Sequence, residues 1–216
     1  ISDIKAYRSE SNSLGSGQVL QCPYSAEKAR IVIREMADAL ALELVEKGLA
    51  TDQLTLTVGY DIENIQDPER LSRYQGEIKK DRYGRFVPKH SHGTENIGKY
   101  TSSTRKIRNA ADALFHRIVA PGLLIRRLNI TANRVLPERE VPEADACEQM
   151  DLFVDYEIMQ EEKRREEAEQ VREKKIQSTV LDIKRKFGKN AILKGTALED
   201  GATSRERNQK IGGHQA

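Results

Sequence analysis

Tryptophan is absent from this chain of 216 residues, and aromatic residues of all kinds make up 5% of it. Cysteine is nearly absent too. Cys22 and Cys147 lie far apart and form no CxxC pair, which excludes a disulfide framework, argues against a zinc site and suits a reducing cytosol. Long apolar runs are missing: none approaches the ~18 residues of a membrane span, so no membrane partner and no signal peptide are expected. Apolar residues reach only 38%, little for one large core, whereas charged residues reach 32%. That balance predicts one compact domain followed by an extended, charged, helical remainder. Net charge is only +2, but it is unevenly spread. Between Lys79 and Arg108 nine lysines and arginines, Arg85 among them, face only Asp81 and Glu95. A local excess of this kind suits a polyanion.

Periodicity divides the chain. Residues 1–9 read as a linker and 10–138 as a folded domain of the α+β class. An early strand at Gln18–Leu20 precedes a helix that starts at Ser25, a plausible N-cap, and stops at Gly48. Ile33, Met36, Leu40 and Leu44 mark the buried stripe of that helix. Leu54 to Tyr60 alternates as a half-buried strand. Residues 61–93 are polar, basic and rich in turn formers, and suggest a long mobile hairpin connection. A strand near Thr94–Thr101, a helix from Arg105 to Val119 and a strand at Leu128–Asn133 complete the order strand, helix, strand, strand, helix, strand. This order predicts a four-stranded antiparallel sheet with two helices on one face. Thr55, Thr57, Asn129, Thr131 and Asn133 then belong to the open face. A linker over 139–156 leads to one long charged helix over 157–187 and an irregular, Gly-rich tail over 188–216. Ile176, Val180, Ile183 and Phe187 recur at a spacing that suits a partner helix or groove.

No catalytic constellation can be assembled. His90 and His92 flank Ser91, but no acidic or cysteine residue stands near enough in sequence to complete a metal site, so no metal is expected in this chain and a histidine beside phosphate is the plainer reading. Thr101-Ser102-Ser103-Thr104-Arg105-Lys106 carries the strongest binding signal. Four hydroxyls end a strand and open a helix, where N–H groups and basic side chains favour a phosphate. One hydroxyl must cap the helix; four exceed that need. Ser11-Asn12-Ser13 with Gln18 offers a second polar rail. Backbone contacts of these kinds carry no sequence information.

Between the domain and the long helix lies Gln149-Met150-Asp151-Leu152-Phe153. Two large apolar residues in a polar linker are costly to leave in water, and the glutamine amide can both donate and accept. The pentapeptide resembles the sliding-clamp anchor of bacterial polymerases and repair proteins. The wider chain resembles the C-terminal part of Y-family translesion DNA polymerases, of the UmuC-like type of Gram-positive bacteria. Ser11–Ser13 with Gln18–Leu20, the helix around Ala29–Ala37, Leu56–Tyr60, His92–Thr94 leading to Thr101–Arg105, and the tail from Gly188 to His214 carry that resemblance. It implies a little-finger domain that grips template–primer DNA, tethering to the bacterial sliding clamp, and a role in DNA repair and the SOS response. It also implies a cytoplasmic protein and a magnesium-dependent catalytic palm. No segment resembles that palm, so the chain alone should not polymerise DNA. The start at Ile1 reads as the excised end of a longer protein. Two rivals remain: an RNA-binding α/β module, disfavoured because Tyr60 is the sole strand aromatic, and a helical scaffold centred on 157–187.

Overall fold

Ser25 caps the first long helix, its Oγ accepting from Lys28 N at 3.4 Å, and Gly48 ends it in the left-handed conformation at φ 64°. Only glycine adopts that turn without strain. The computed structural model describes residues 12–81, 83–142, 156–211 and 214–215. In chain order its elements are β1 (Leu14–Tyr24), α1 (Ala26–Lys47), β2 (Leu49–Tyr60), α2 (Glu63–Gln66), α3 (Pro68–Arg73), β3 (Ile78–Lys80), β4 (Phe86–Pro88), β5 (Ser91–Thr101), α4 (Thr104–Ile118), β6 (Ile125–Asn133) and β7 (Leu136–Pro137). The long helix α5 (Tyr156–Phe187), the short α6 (Ser204–Arg207), and β8 (Lys210–Ile211) with β9 (His214–Gln215) follow.

The main sheet is antiparallel, in the order β1-β6-β2-β5. Alternation decides its two faces. Leu54, Leu56 and Val58 of β2 and Leu128, Ile130 and Ala132 of β6 are fully buried, while the residues between them point the other way. On the buried side α1 contributes Val32, Ile33, Met36, Leu40 and Leu44, and α4 contributes Ile107, Ala111, Leu114 and Phe115. Each large side chain sealed there is worth about 1.5–3 kcal/mol. A bidentate ion pair joins the two helices at the rim: Arg30 and Arg34 of α1 both grip Asp112 of α4, with Arg34 Nε at 3.0 Å.

Three details differ from the sequence reading. The sheet has a fifth, short strand, because β7 pairs with the start of β2. Residues 61–90 are not a plain hairpin connection: they hold α2, α3 and a two-stranded ribbon, β3 with β4. Asp67 caps α3 by accepting from Glu69 N at 2.9 Å, and Pro68 fills the first helical position, a start signal present in the sequence. Asn64, 1% exposed, staples this insertion down, donating to the Asp61 and Leu124 carbonyls and accepting from Leu124 N. The tail is also more regular than expected, with a 3-10 turn at Gly195–Leu198 besides α6 and the β8–β9 pair. No helix among the described residues is long and apolar enough to cross a membrane.

Candidate nucleic-acid interface

The face of the sheet turned away from the helices is a lattice of hydroxyls and amides. Register places Thr57 between His92 and Asn129, Thr55 between Thr94 and Thr131, and Gln53 between Asn96 and Asn133. Cross-strand hydrogen bonds lock the rows: Thr57 Oγ1 to His92 Nδ1 at 3.0 Å, Thr55 Oγ1 to Thr94 Oγ1 at 3.1 Å, and Gln53 Nε2 to Asn96 Oδ1 at 2.9 Å. Asn133 Nδ2 donates to Thr55 Oγ1 at 2.6 Å. At the β1 edge Gly15 and Gly17 continue the rows beside Thr131 and Asn129. A Cβ on Gly17 would come within 2.1 Å of Asn129 Oδ1, so glycine keeps this edge flat and its backbone approachable. Such a surface has many hydrogen-bonding groups, and the ring in these rows is the His92 imidazole, held by Thr57.

At one end the face runs into a cleft of about 730 Å³ between the sheet and the β3–β4 ribbon. Thr57 and Asn129 belong to both surfaces. Lys79, Lys80, Arg85, Lys89, Arg126 and Arg127 line the cleft against Asp61, Glu63 and Asp81. Arg85 is held by Asp81 at 2.6 Å, and Lys79 and Lys89 share Glu77. Arg127 is exposed on the open face, in the next outward position after Asn129. The lining is therefore net positive and faces solvent.

Residues 11–152 match the impB/mucB/samB family C-terminal domain, more than half of the chain. The chain belongs to this family. The domain fits the C-terminal part of a translesion polymerase acting in damage bypass. No curated protein matches the chain.

Within this impB/mucB/samB domain the Thr101–Lys106 corner is arranged differently from four free hydroxyls. Thr101 and Ser103 are buried. Thr101 Oγ1 accepts from Ser103 N at 3.0 Å, and Ser103 Oγ caps α4 by accepting from Lys106 N at 3.3 Å. Ser102 donates to Glu138 at 2.8 Å. The long helix covers the rest. Glu173 accepts from Ser103 Oγ at 2.6 Å and from Arg105 N at 3.0 Å, so a carboxylate stands where a phosphate was expected. Glu169 pairs with Arg105 at 3.1 Å and Glu166 with Lys106 at 2.6 Å. The Lys106 ammonium holds the Glu166 carboxyl below its ordinary range. Gln177, 5% exposed, donates to the Ser102 carbonyl and to Thr104 Oγ1.

The other sequence candidates scatter. Asn12 and Ser13 are exposed at the start of β1. Gln18 does not join the open face: its position alternates with Gly17 and Val19, and its amide donates to Thr203 Oγ1 at 2.8 Å and accepts from Arg207. Arg85 and His92 sit beside the cleft and on the face, respectively. Ser11 and the Gln149–Phe153 anchor lie outside the described residues. Arg127, Thr94, Asn96 and Gln53 escaped the sequence reading. Extending the β6 alternation back from Asn129 would have found Arg127; the β5 residues needed the pairing register. Among the described residues no three His, Cys, Asp or Glu side chains converge as a metal site.

Proposed function

We propose that this domain holds the sugar–phosphate backbone of template–primer DNA on the open sheet face and in the basic cleft beside it, as the C-terminal part of a UmuC-like damage-bypass polymerase. The observation that carries the reading is the continuity of the two surfaces. A hydroxyl- and amide-lined sheet, with the His92 imidazole among its rows, leads directly into a net-positive groove. Backbone oxygens are acceptors that such groups satisfy whatever the base sequence, which suits an enzyme that must keep hold of distorted, lesion-bearing DNA. Arg105 and Lys106 add a second phosphate-binding edge at the start of α4, and the linker pentapeptide ties the molecule to the sliding clamp. Nucleotidyl transfer belongs to a magnesium-holding palm elsewhere in the polymerase, so the chain alone leaves a primer unextended.

Salt titration tests the grip. With four to six phosphates neutralised, log affinity for primed duplex falls against log salt with a slope of roughly −4 to −5. Arg127→Ala should lower affinity at every sequence tried and reduce that slope by about 0.9. A flat salt response, or equal competition by single-stranded RNA, would exclude the reading.

A further inference from the structure

The acidic face of α5 is laid on the most basic corner of the domain. Glu166, Glu169 and Glu173 follow one another at three and four residues, on one side of the helix. Their carboxylates reach the Lys106 side chain, the Arg105 side chain, and the Arg105 N–H with the Ser103 hydroxyl, in turn. Lys99 at the end of β5 adds to the positive field that Glu166 feels. A row of negative charges spaced along a rod, set against lysine, arginine and helix N–H groups, presents what a nucleic-acid strand presents. Apolar burial does not hold this half of the helix down, because Val171 is 58% and Ile176 55% exposed. Ion pairs half open to water contribute little each and weaken with salt. The dock is therefore specific in register and weak in strength, as a displaceable cover must be.

We propose that α5 is a tethered competitor of DNA: its glutamates occupy the Arg105–Lys106 edge in the free protein and are displaced when backbone phosphates take their place. This rests on the reading that the Arg105–Lys106 edge contacts phosphate. Covering it in the free state lowers affinity for stray nucleic acid. Displacing the cover links DNA engagement to release of the segment that follows the linker.

The test uses the full chain and mixed-sequence primed duplex, with binding followed by anisotropy between 50 and 200 mM salt. Glu166→Gln with Glu173→Gln removes two of the covering charges while keeping side-chain size and hydrogen-bonding capacity. Glu161→Gln with Glu167→Gln makes the same change in net charge on exposed positions of the same helix. The covering pair should bind about fivefold tighter than the control pair. Its salt slope should also be steeper, because in the control salt loosens the covering ion pairs while it weakens the DNA contact, and in the covering pair that offset is gone. Hydrogen exchange on the unaltered chain supplies a reading independent of any variant: saturating DNA should raise exchange over residues 166–177. Equal affinities for the two variants, or unchanged exchange in α5, would overturn the competitor model while wild-type DNA binding stands. Loss of all salt-sensitive binding by the wild-type chain would remove the grip reading itself.

Discussion

Asp112 shows how one side chain couples two helices. Both guanidinium groups of α1 converge on its carboxylate, and the Arg30 hydrogen bond, followed by that of Arg34, pulls its pKa down to about 2. A carboxyl whose folded value lies below its unfolded value stabilises the fold above the unfolded value and loses that contribution as pH falls through the folded one. The Asp112 contribution is thus complete above about pH 4 and disappears towards pH 2. Asp112→Asn should cost about 1–2 kcal/mol at neutral pH, and the gap to wild type should close on acidification. Urea unfolding at pH 7, 4 and 2 measures it; a pH-independent gap would mean that packing, not charge, is lost. Nothing in the sequence marks Asp112 as a partner of Arg30 and Arg34, because pairing across helices depends on how their faces meet. The caps at Ser25 and Gly48, by contrast, are local geometry, and their residue types announce them.

Elements were legible where burial follows period. The stripe of α1 and the alternation of β2 and β6 identify core faces because each residue's neighbour is the sheet or helix opposite. The long helix breaks that rule. Its apolar stripe of Ile176, Val180, Ile183 and Phe187 is split: Ile176 and Phe187 are 55% and 67% exposed, Val180 and Ile183 are half-buried, and the docked face carries Glu173 and Gln177. The physical reason lies in the domain. Its core is already closed by α1 and α4, so the corner left for α5 offers a helix N-terminus, hydroxyls and carbonyls, which polar side chains match. Gln177→Leu tests this directly. Although the change adds apolar bulk, it should destabilise the docked helix by about 1 kcal/mol, because it leaves the part-buried Ser102 carbonyl without its donor. Ile176→Glu should change stability by less than about 0.5 kcal/mol. Thermal unfolding of the two variants decides the register; a larger loss for Ile176→Glu would show that the apolar stripe is the packed one.

For the whole molecule the proposed division of labour between grip and tether gives the sharpest contrast. The open face and cleft lie on one side of the sheet, built from β2, β5, β6 and the β3–β4 ribbon. The proposed Gln149–Phe153 anchor follows β7 at some distance along the chain. Because different residues carry the two proposed contacts, they should be separable. A tether adds affinity at the primer end by raising effective concentration rather than by adding a DNA contact. Leu152→Ala with Phe153→Ala should therefore abolish capture of the chain by immobilised sliding clamp and leave its affinity and salt slope for free primed duplex unchanged. On DNA carrying a loaded clamp, wild type should bind about a hundredfold tighter than the double variant. Arg127→Ala should weaken binding to both templates and leave clamp capture intact. If the double variant still captures clamp, the anchor lies elsewhere. If it loses free-duplex affinity as well, the linker belongs to the DNA-binding surface, and grip and tether are one site.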